Sequence, residues 1–158
     1  MNLEIERKFL LKNDNWKKFT TKETLYTQGY LNNDKNKTIR VRTSSDKAFL
    51  TIKGGNKNSF SHSEFEYEIP LNDGKIFLSE FCDNKIISKT RYIVPIKNSE
   101  QKLEIDIFHE ENEGLIIAEI ELKSEDEYFE KPEWLGEEVT YDSRYKNAKL
   151  IENPFKNW

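Results

Sequence analysis

Seven segments of this chain carry polar or charged side chains at a spacing of two residues. The first places Glu4, Glu6 and Lys8 on one side of an extended chain, while Ile5 and Phe9 lie on the other. Because successive side chains of a β-strand point to opposite faces, each segment is predicted to be a strand with one charged face. The seven sets are Glu4, Glu6 and Lys8; Arg40 and Arg42; Thr51 and Lys53; Glu64, Glu66 and Glu68; Lys89 and Arg91; Glu104 and Asp106; and Glu119 and Glu121. The chain is therefore expected to fold mainly as β-sheet.

The charges in these segments are sorted by strand into acidic pairs and basic pairs, a detail that argues against an ordinary solvated face. An antiparallel sheet with one face in water would also alternate charged and apolar residues. A solvated face tends to mix signs, however, and like charges at this spacing repel unless metal ions and phosphates lie between them. Two interpretations therefore stay open at this point: half-buried strands with solvated outer faces, or charged faces that converge on a site for both a cation and an anion.

Eight strands are predicted, joined by short polar connections. Their expected bounds are residues 3–11, 25–31, 38–44, 47–53, 60–70, 86–94, 102–109 and 115–123. Such spacing is typical of an antiparallel, mainly up-and-down sheet that can close into a barrel with room for a ligand. The fold class is thus mainly β (α+β), with a few flanking helices. Helices are predicted at 13–22, at 73–82 after an Asn72 cap, at 124–131 from a capping box, and from Asp142 to Ile151.

Composition narrows the class of protein. A length of 158 residues predicts a single domain over 1–158. Charged residues make up 34% and aromatic residues 13%, and the net charge of −4 argues against binding to duplex nucleic acid. The lone Cys82 allows no internal disulfide, and no apolar run is long enough for a membrane helix. With a charged start unlike a signal peptide, the expectation is a cytoplasmic protein without a membrane partner.

The ordered motifs resemble the CYTH-domain family of triphosphate tunnel metalloenzymes over about residues 2 to 150. The family's opening Glu-x-Glu-x-Lys signature stands here as Glu4-Ile5-Glu6-Arg7-Lys8. The later motifs follow in the family's order as Gly29-Tyr30-Leu31, Arg40-Val41-Arg42, Thr51-Ile52-Lys53-Gly54, Glu64 with Glu66, Lys89-Thr90-Arg91-Tyr92, Leu103 to Phe108, Glu119-Ile120-Glu121-Leu122 and Arg144-Tyr145-Lys146-Asn147. The resemblance implies an eight-stranded antiparallel barrel whose charged faces line a tunnel and whose apolar faces point outward. Outward apolar surface would suit a homodimer.

The resemblance also assigns roles to the charged residues. The implied metal ligands are Glu4, Glu6, Glu119 and Glu121. The implied substrate-binding residues are Lys8, Arg40, Arg42, Lys53, Lys89 and Arg91. The implied catalytic residues are Lys8, Glu66, Arg40 and Arg42. Oxygen ligands without a Cys or His cluster indicate Mg²⁺ or Mn²⁺ rather than zinc.

The expected reaction is metal-dependent hydrolysis of a triphosphate-containing small molecule. The chain looks most like the short bacterial members of the family, which implies inorganic tripolyphosphate as substrate, with nucleoside triphosphates as further substrates. The alternatives left open are a class IV-type adenylyl cyclase, a thiamine triphosphatase and a non-catalytic polyphosphate- or nucleotide-binding module.

Two further residues are each left with two interpretations. His62 shares a face with Glu64, where many relatives carry arginine; it is interpreted first as a surface histidine and second as a phosphate contact. Lys146 lies in a family motif on a C-terminal helix that can close one tunnel mouth, and it is either a substrate contact or a solvated lysine.

Overall fold

The structure of the protein is a computed structural model that describes residues 3–58 and 61–158. Within these residues the chain forms nine strands, which together make one sheet. They are β1 (Leu3–Leu11), β2 (Lys22–Asp34), β3 (Lys37–Thr43), β4 (Ala48–Asn58), β5 (Ser61–Ile69), β6 (Ile86–Pro95), β7 (Lys102–Phe108), β8 (Ile116–Leu122) and β9 (Leu135–Glu138). The predicted start of the fifth strand at residue 60 lies outside the described residues.

Eight of these strands close into a ring. The order is β5-β4-β3-β2-β6-β7-β8-β1, and β1 also pairs with β5, so the last strand meets the first. All pairs are antiparallel, as predicted. The up-and-down prediction holds for β2–β5 and for β6–β8, but it is wrong for the connections from β1 to β2 and from β5 to β6. Those two connections join strands that are not neighbours.

The helices are short and lie in the segments that connect the strands or follow the last one. Those of α type are α1 (Leu71–Ile76), continued by a π-helical turn at Phe77–Phe81, and α2 (Asn147–Leu150). Turns of 3₁₀ helix occur at Asn15–Phe19, Glu110–Asn112, Ser143–Tyr145 and Phe155–Asn157. No helix in the two described ranges is long and apolar enough to cross a membrane.

Three of the four predicted helical regions are confirmed in place, with different bounds. The predicted Asn72 cap is wrong, because α1 begins directly after Pro70 and has no side-chain cap. The predicted Asp142 cap is confirmed, since its carboxylate accepts a hydrogen bond from the backbone N–H of Arg144.

The predicted helix at 124–131 is wrong. Glu127 does reach back, but its carboxylate accepts a hydrogen bond from the backbone N–H of Lys123. The backbone N–H of Glu127 donates to the Ser124 carbonyl oxygen at 3.2 Å and closes a turn. The chain then continues without helix, and the Phe129 ring packs edge-on against Phe9 at 5.7 Å between centroids. Burial of this aromatic ring outweighs the local helix signal.

The buried apolar residues form two clusters, one outside the ring on one side and one inside the ring at one end. Outward side chains of β1, β6, β7 and β8 are buried under Trp16, Phe129, Trp134 and Leu135. A second cluster contains inward-facing residues of β6, β7 and β8 together with Leu150 of α2. Because these inward residues are apolar, the cluster fills one end of the ring and leaves the charged faces beside it. The prediction of a single domain over residues 1–158 stays a prediction.

Candidate active site

The charged faces of the ring strands enclose a cavity of about 180 Å³. Its lining combines carboxylates, ammonium groups and guanidinium groups with a single amide among the described residues. The lining residues are Glu4, Glu6, Lys8, Arg40, Arg42, Lys53, Glu64, Glu66, Lys89, Arg91, Glu104, Glu119, Glu121 and Asn147. Every residue that the sequence singled out for metal binding, substrate binding or catalysis thus lies in one cavity, while the individual roles remain predictions.

Strand register explains why these side chains meet. Residues directly opposite each other in an antiparallel pair project to the same face. Glu6 pairs with Glu121 and Lys8 with Glu119 between β1 and β8. Across the ring, Arg40 and Arg42 lie on β3, which is separated from β8 by three strands in either direction. The ring therefore places an acidic wall, formed by Glu6, Glu119 and Glu121 on β1 and β8, opposite a pair of arginines.

The acidic wall is crowded with like charge. Burial would raise the pKa of Glu6, but the positive charges of Lys8, 3.5 Å away, and Lys53 lower it to about 2. The pKa of Glu121 is raised by burial and then by the negative charges of Glu4 and Glu104. A divalent cation would relieve this repulsion, and carboxylate oxygens are the ligands that Mg²⁺ and Mn²⁺ prefer.

Lys8 is bound firmly within this wall. Its ammonium lies 2.6 Å from the Glu119 carboxylate, and the residue is 5% exposed. Burial would lower the pKa of Lys8, but the charges of Glu119 and Glu6 raise it. Lys8 therefore supplies a permanent positive charge beside the proposed metal ligands.

Glu4 belongs to a neighbouring cluster with Lys53, His62 and Glu64. Lys53 Nζ lies 2.5 Å from Glu4 and 3.0 Å from Glu64, and His62 Nε2 contacts the same Glu4 oxygen. Burial opposes ionisation of Glu4, but the hydrogen bond from His62 and the charge of Lys53 lower its pKa. Burial and the nearby Glu4 raise the pKa of Glu64 to about 7.

The interpretation of His62 as a surface histidine is wrong. Its side chain is 13% exposed and points into the ring toward Glu4. The register explains this position, because His62 is paired directly with Glu4 between β5 and β1. His109, in contrast, contacts the hydroxyl of Thr90.

Arg40 and Arg42 each keep a side-chain N–H donor without a partner among the described residues. Within residues 3–58 and 61–158, neither buried Nε atom has a hydrogen-bond partner. The Glu66 carboxylate lies 3.8 Å from Arg40 and 3.7 Å from Arg42, beyond hydrogen-bond distance. The Arg42 guanidinium also lies over the Tyr26 ring, 4.4 Å from its centroid. Buried guanidinium groups that keep an unpaired Nε donor are suited to bind phosphate oxygens.

Lys89 and Arg91 are already paired. Asp106, which is fully buried, accepts two hydrogen bonds from Arg91 at 2.7 and 2.8 Å and one from Lys89 at 2.8 Å. Arg91 also contacts Glu104. Burial outweighs the attraction of Asp106 and lowers the pKa of Lys89 to about 8. These two residues line the cavity but have less freedom to bind a substrate than Arg40 and Arg42.

Asn147 is a cavity residue to which the sequence assigned no role. Its side-chain oxygen accepts hydrogen bonds from Lys89 at 3.1 Å and from Gln28 at 3.2 Å. The family-like motif Arg144-Tyr145-Lys146-Asn147 marked this stretch, but Lys146 was its candidate. Lys146 is half-buried, and its pKa is lowered by burial and by the charge of Lys8. The C-terminal segment therefore contributes directly to the site through an amide.

Comparison with known proteins finds similar chains over nearly the whole length. The family model described as the CYTH domain matches residues 2–153. An inorganic triphosphatase from Acetivibrio thermocellus is 45% identical over 158 residues, which covers 100% of this chain and 99% of that protein. An inorganic triphosphatase from Nitrosomonas europaea is 33% identical over 153 residues, covering 93% and 95%. A solved structure of an inorganic triphosphatase, 32% identical, superposes with a TM-score of 0.65 and covers 94% of this chain and 93% of its own.

Proposed function

This chain belongs to the CYTH-domain family, and we propose that it is a divalent-metal-dependent hydrolase that removes the terminal phosphate of a triphosphate. Inorganic tripolyphosphate is the proposed substrate, with nucleoside triphosphates as further substrates. The observation that carries the proposal is the cavity in which an acidic wall faces two arginines with unpaired donors. The similarity to inorganic triphosphatases over the whole chain supports the same conclusion.

Glu4 and Glu6, with Glu119 or Glu121, would hold Mg²⁺ or Mn²⁺. Their oxygen donors and the crowded negative charge fit a hard divalent cation. When bound, such an ion neutralises charge on the phosphate oxygens and helps to orient water. The choice between the two metals is part of the proposal.

The basic residues would hold the substrate in line for attack. Arg40 and Arg42 bind phosphate oxygens through their forks, and Lys53, Lys89 and Arg91 add positive charge around the chain of phosphates. Lys8 neutralises phosphate charge next to the acidic wall. In phosphoryl transfer most of the rate comes from such positioning and charge neutralisation.

Glu66 is the proposed residue that orients the attacking water. Its carboxylate lies beside both arginines and accepts a hydrogen bond from Thr51 at 3.0 Å. The water oxygen bonds to the terminal phosphorus, and the bond from that phosphorus to the bridging oxygen breaks. The water proton passes to the carboxylate and on to solvent, and the products of tripolyphosphate are orthophosphate and pyrophosphate.

The composition of the lining favours hydrolysis of an inorganic substrate over cyclisation of ATP. Among the described residues, every lining side chain is charged except Asn147. A cyclase needs a surface on which adenine stacks and a ribose hydroxyl held near the first phosphorus. A wholly polar lining offers strong contacts to phosphates and weak contacts to a base.

The setting of the enzyme is also proposed. The single buried Cys82 thiol suits a reducing cytoplasm.

A homodimer is supported by the apolar outer faces of β4 and β5, where Ile52, Phe65 and Tyr67 are 39%, 43% and 55% exposed. Light scattering of the purified protein distinguishes the dimer from a monomer.

Product analysis by phosphorus NMR tests the proposed reaction. Equal concentrations of tripolyphosphate, ATP and thiamine triphosphate are incubated with Mg²⁺ and then with Mn²⁺. Fastest release of orthophosphate from tripolyphosphate is expected. Cyclic AMP and pyrophosphate from ATP would identify a cyclase instead, and tight binding without turnover would identify a binding module.

A further inference from the structure

Glu4, His62 and Glu64 bring one imidazole and two carboxylates together at one end of the acidic wall. One possible ligand atom of each residue lies within 4.8 Å of the others. Glu4 comes from β1, and the other two residues come from β5, which is the strand pair that closes the ring. The side chains of Glu4, His62 and Glu64 are 16%, 13% and 20% exposed, so the group is largely removed from water.

Lys53 occupies the position that a cation would take in this cluster. Its ammonium lies between the two carboxylates, 2.5 Å from Glu4 and 3.0 Å from Glu64. The two carboxylates share this one ammonium, so a single positive charge faces two carboxyl groups. A lysine side chain is long and flexible, so Lys53 can leave this position when a stronger cation arrives.

We propose that Glu4, His62 and Glu64 form a divalent-cation site with a nitrogen donor, beside the oxygen-only metal position of the proposed function. The imidazole makes this site favour Mn²⁺ or another first-row transition ion over Mg²⁺, because these ions accept a nitrogen ligand beside carboxylates more readily than Mg²⁺, which keeps to oxygen ligands. Glu4 has two carboxylate oxygens and contributes to both positions.

Occupation of this site would release Lys53 toward the substrate. The proposed function makes Lys53 a phosphate ligand, and this consequence rests on that proposal. The same ammonium cannot neutralise Glu4 and Glu64 and also approach phosphate oxygens at full strength. A cation bound by the two carboxylates and His62 takes over the first task, so Lys53 becomes available for the second.

Binding of metal alone, without any triphosphate, tests the site. Titration calorimetry of the full chain with Mn²⁺ and with Mg²⁺ is compared for the wild type, His62→Gln and His109→Gln. His62→Gln is expected to weaken Mn²⁺ binding roughly tenfold, the lower end of losses seen when groups around a metal are removed. The affinity for Mg²⁺ is expected to change much less, and His109→Gln is expected to match the wild type.

Ring resonances of the two histidines provide a second readout that does not depend on a variant. With Zn²⁺ as a diamagnetic probe, the ring nitrogen shifts of His62 are expected to move while those of His109 stay in place. An unchanged His62 resonance, or an equal loss of Mn²⁺ and Mg²⁺ affinity in His62→Gln, would overturn the proposal. Because no substrate is present, this result is independent of whether the protein hydrolyses tripolyphosphate.

Discussion

At the scale of residues, the arginines of the cavity divide into two groups by how their charge is neutralised. Arg91 is bound to Asp106 and Glu104, whereas Arg40 and Arg42 retain buried Nε atoms without partners among the described residues. Burial and the neighbouring charge of Arg40 lower the pKa of Arg42, which means that its charge is stabilised less in the ligand-free protein than in water. Arginines whose charge lacks full compensation in the ligand-free protein are suited to bind an anionic substrate.

Arg42→Gln is therefore expected to separate binding from stability. The ligand-free variant should have a melting temperature equal to or above that of the wild type, because a repulsive charge is removed. The stabilisation by tripolyphosphate should shrink by about 1.4 kcal/mol, which corresponds to a tenfold loss of affinity. Thermal unfolding with and without tripolyphosphate measures both quantities.

Arg91→Gln is the matched comparison and should behave in the opposite way. It leaves Asp106 buried with Lys89 as its remaining cationic partner, and breaking a buried pair costs about 3–5 kcal/mol. A stable Arg91→Gln variant, or an Arg42→Gln variant that keeps the full shift with tripolyphosphate, would contradict this division.

Residue spacing predicted the members of the cavity but not their partners. A period of two residues determines which side of a strand Arg42 and Arg91 occupy, whatever the strand order. The pairing of Asp106 with Lys89 and Arg91 depends on β6 lying beside β7 in a particular register. Asn147 depends on where the C-terminal segment packs, and an isolated Asn in a sequence carries no signal for that.

At the scale of elements, β9 shows how a short strand is fixed to the ring. It pairs with β1, where a Cβ atom at Gly136 would lie 2.9 Å from the Leu10 carbonyl oxygen. That distance is too short for a side chain, and the obstacle is backbone that cannot rotate away. β9 covers the end of β1 only because residue 136 is glycine.

Gly136→Ala is expected to destabilise the protein by about 1–3 kcal/mol, the usual cost of forcing extra volume into a packed site. Gly54→Ala is the control, since the nearest atom to its added Cβ would be 3.4 Å away. Urea unfolding of both variants measures the difference. Equal stability of the two variants would show that β9 does not pack as described.

The same element is bound to β1 by a pair of charged side chains outside the cavity. Arg7 donates two hydrogen bonds to the Glu138 carboxylate at 2.8 and 2.7 Å. The hydrogen bond from Arg7 is the main reason that the pKa of Glu138 lies below its ordinary value. A carboxyl with a lowered pKa stabilises the folded state above its ordinary pKa of about 4.5, and this stabilisation is lost as the pH falls through the folded-state value.

Glu138→Gln should therefore cost about 1 kcal/mol at pH 7, a value that allows for solvent screening of a paired but accessible carboxylate. The difference from the wild type should shrink as the pH falls below 4.5. Unfolding free energies between pH 3 and pH 7 test this, with Glu152→Gln as a control in an exposed pair. A difference that stays constant over this range would exclude the ion pair as its cause.

Elements that depend on distant packing were the ones that the sequence did not predict. β9 has four residues, too few to show an alternating pattern. The capping-box signal at Ser124 and Glu127 is real locally, but burial of Phe129 against Phe9 prevents a helix. For long strands with a strict period, most of the predicted ends lie within a few residues of the observed ends, because this pattern needs no tertiary information.

At the scale of the whole molecule, the ring reverses the usual distribution of polarity. Charged groups line a cavity inside the ring, and the main apolar core lies between the outer face of the ring and the segments that cover it. The second apolar cluster fills the ring at one end, beside the charged cavity. The apolar residues of the fold therefore stabilise the strands that form the charged cavity.

The central claim is that inward carboxylates bind a metal on which hydrolysis depends, and one comparison tests it most directly. Initial rates of orthophosphate release from tripolyphosphate are measured with Mg²⁺ and with Mn²⁺ for the wild type, Glu6→Gln and Glu68→Gln. Glu6 lies in the cavity, whereas Glu68 belongs to the same alternating pattern but pairs loosely with Lys47 at 3.7 Å outside it.

We expect metal-dependent release by the wild type, loss of at least about a hundredfold in Glu6→Gln, as for a group that supports charge neutralisation in the transition state, and an unchanged rate in Glu68→Gln. A Glu6→Gln variant that keeps its metal-dependent turnover would contradict the account.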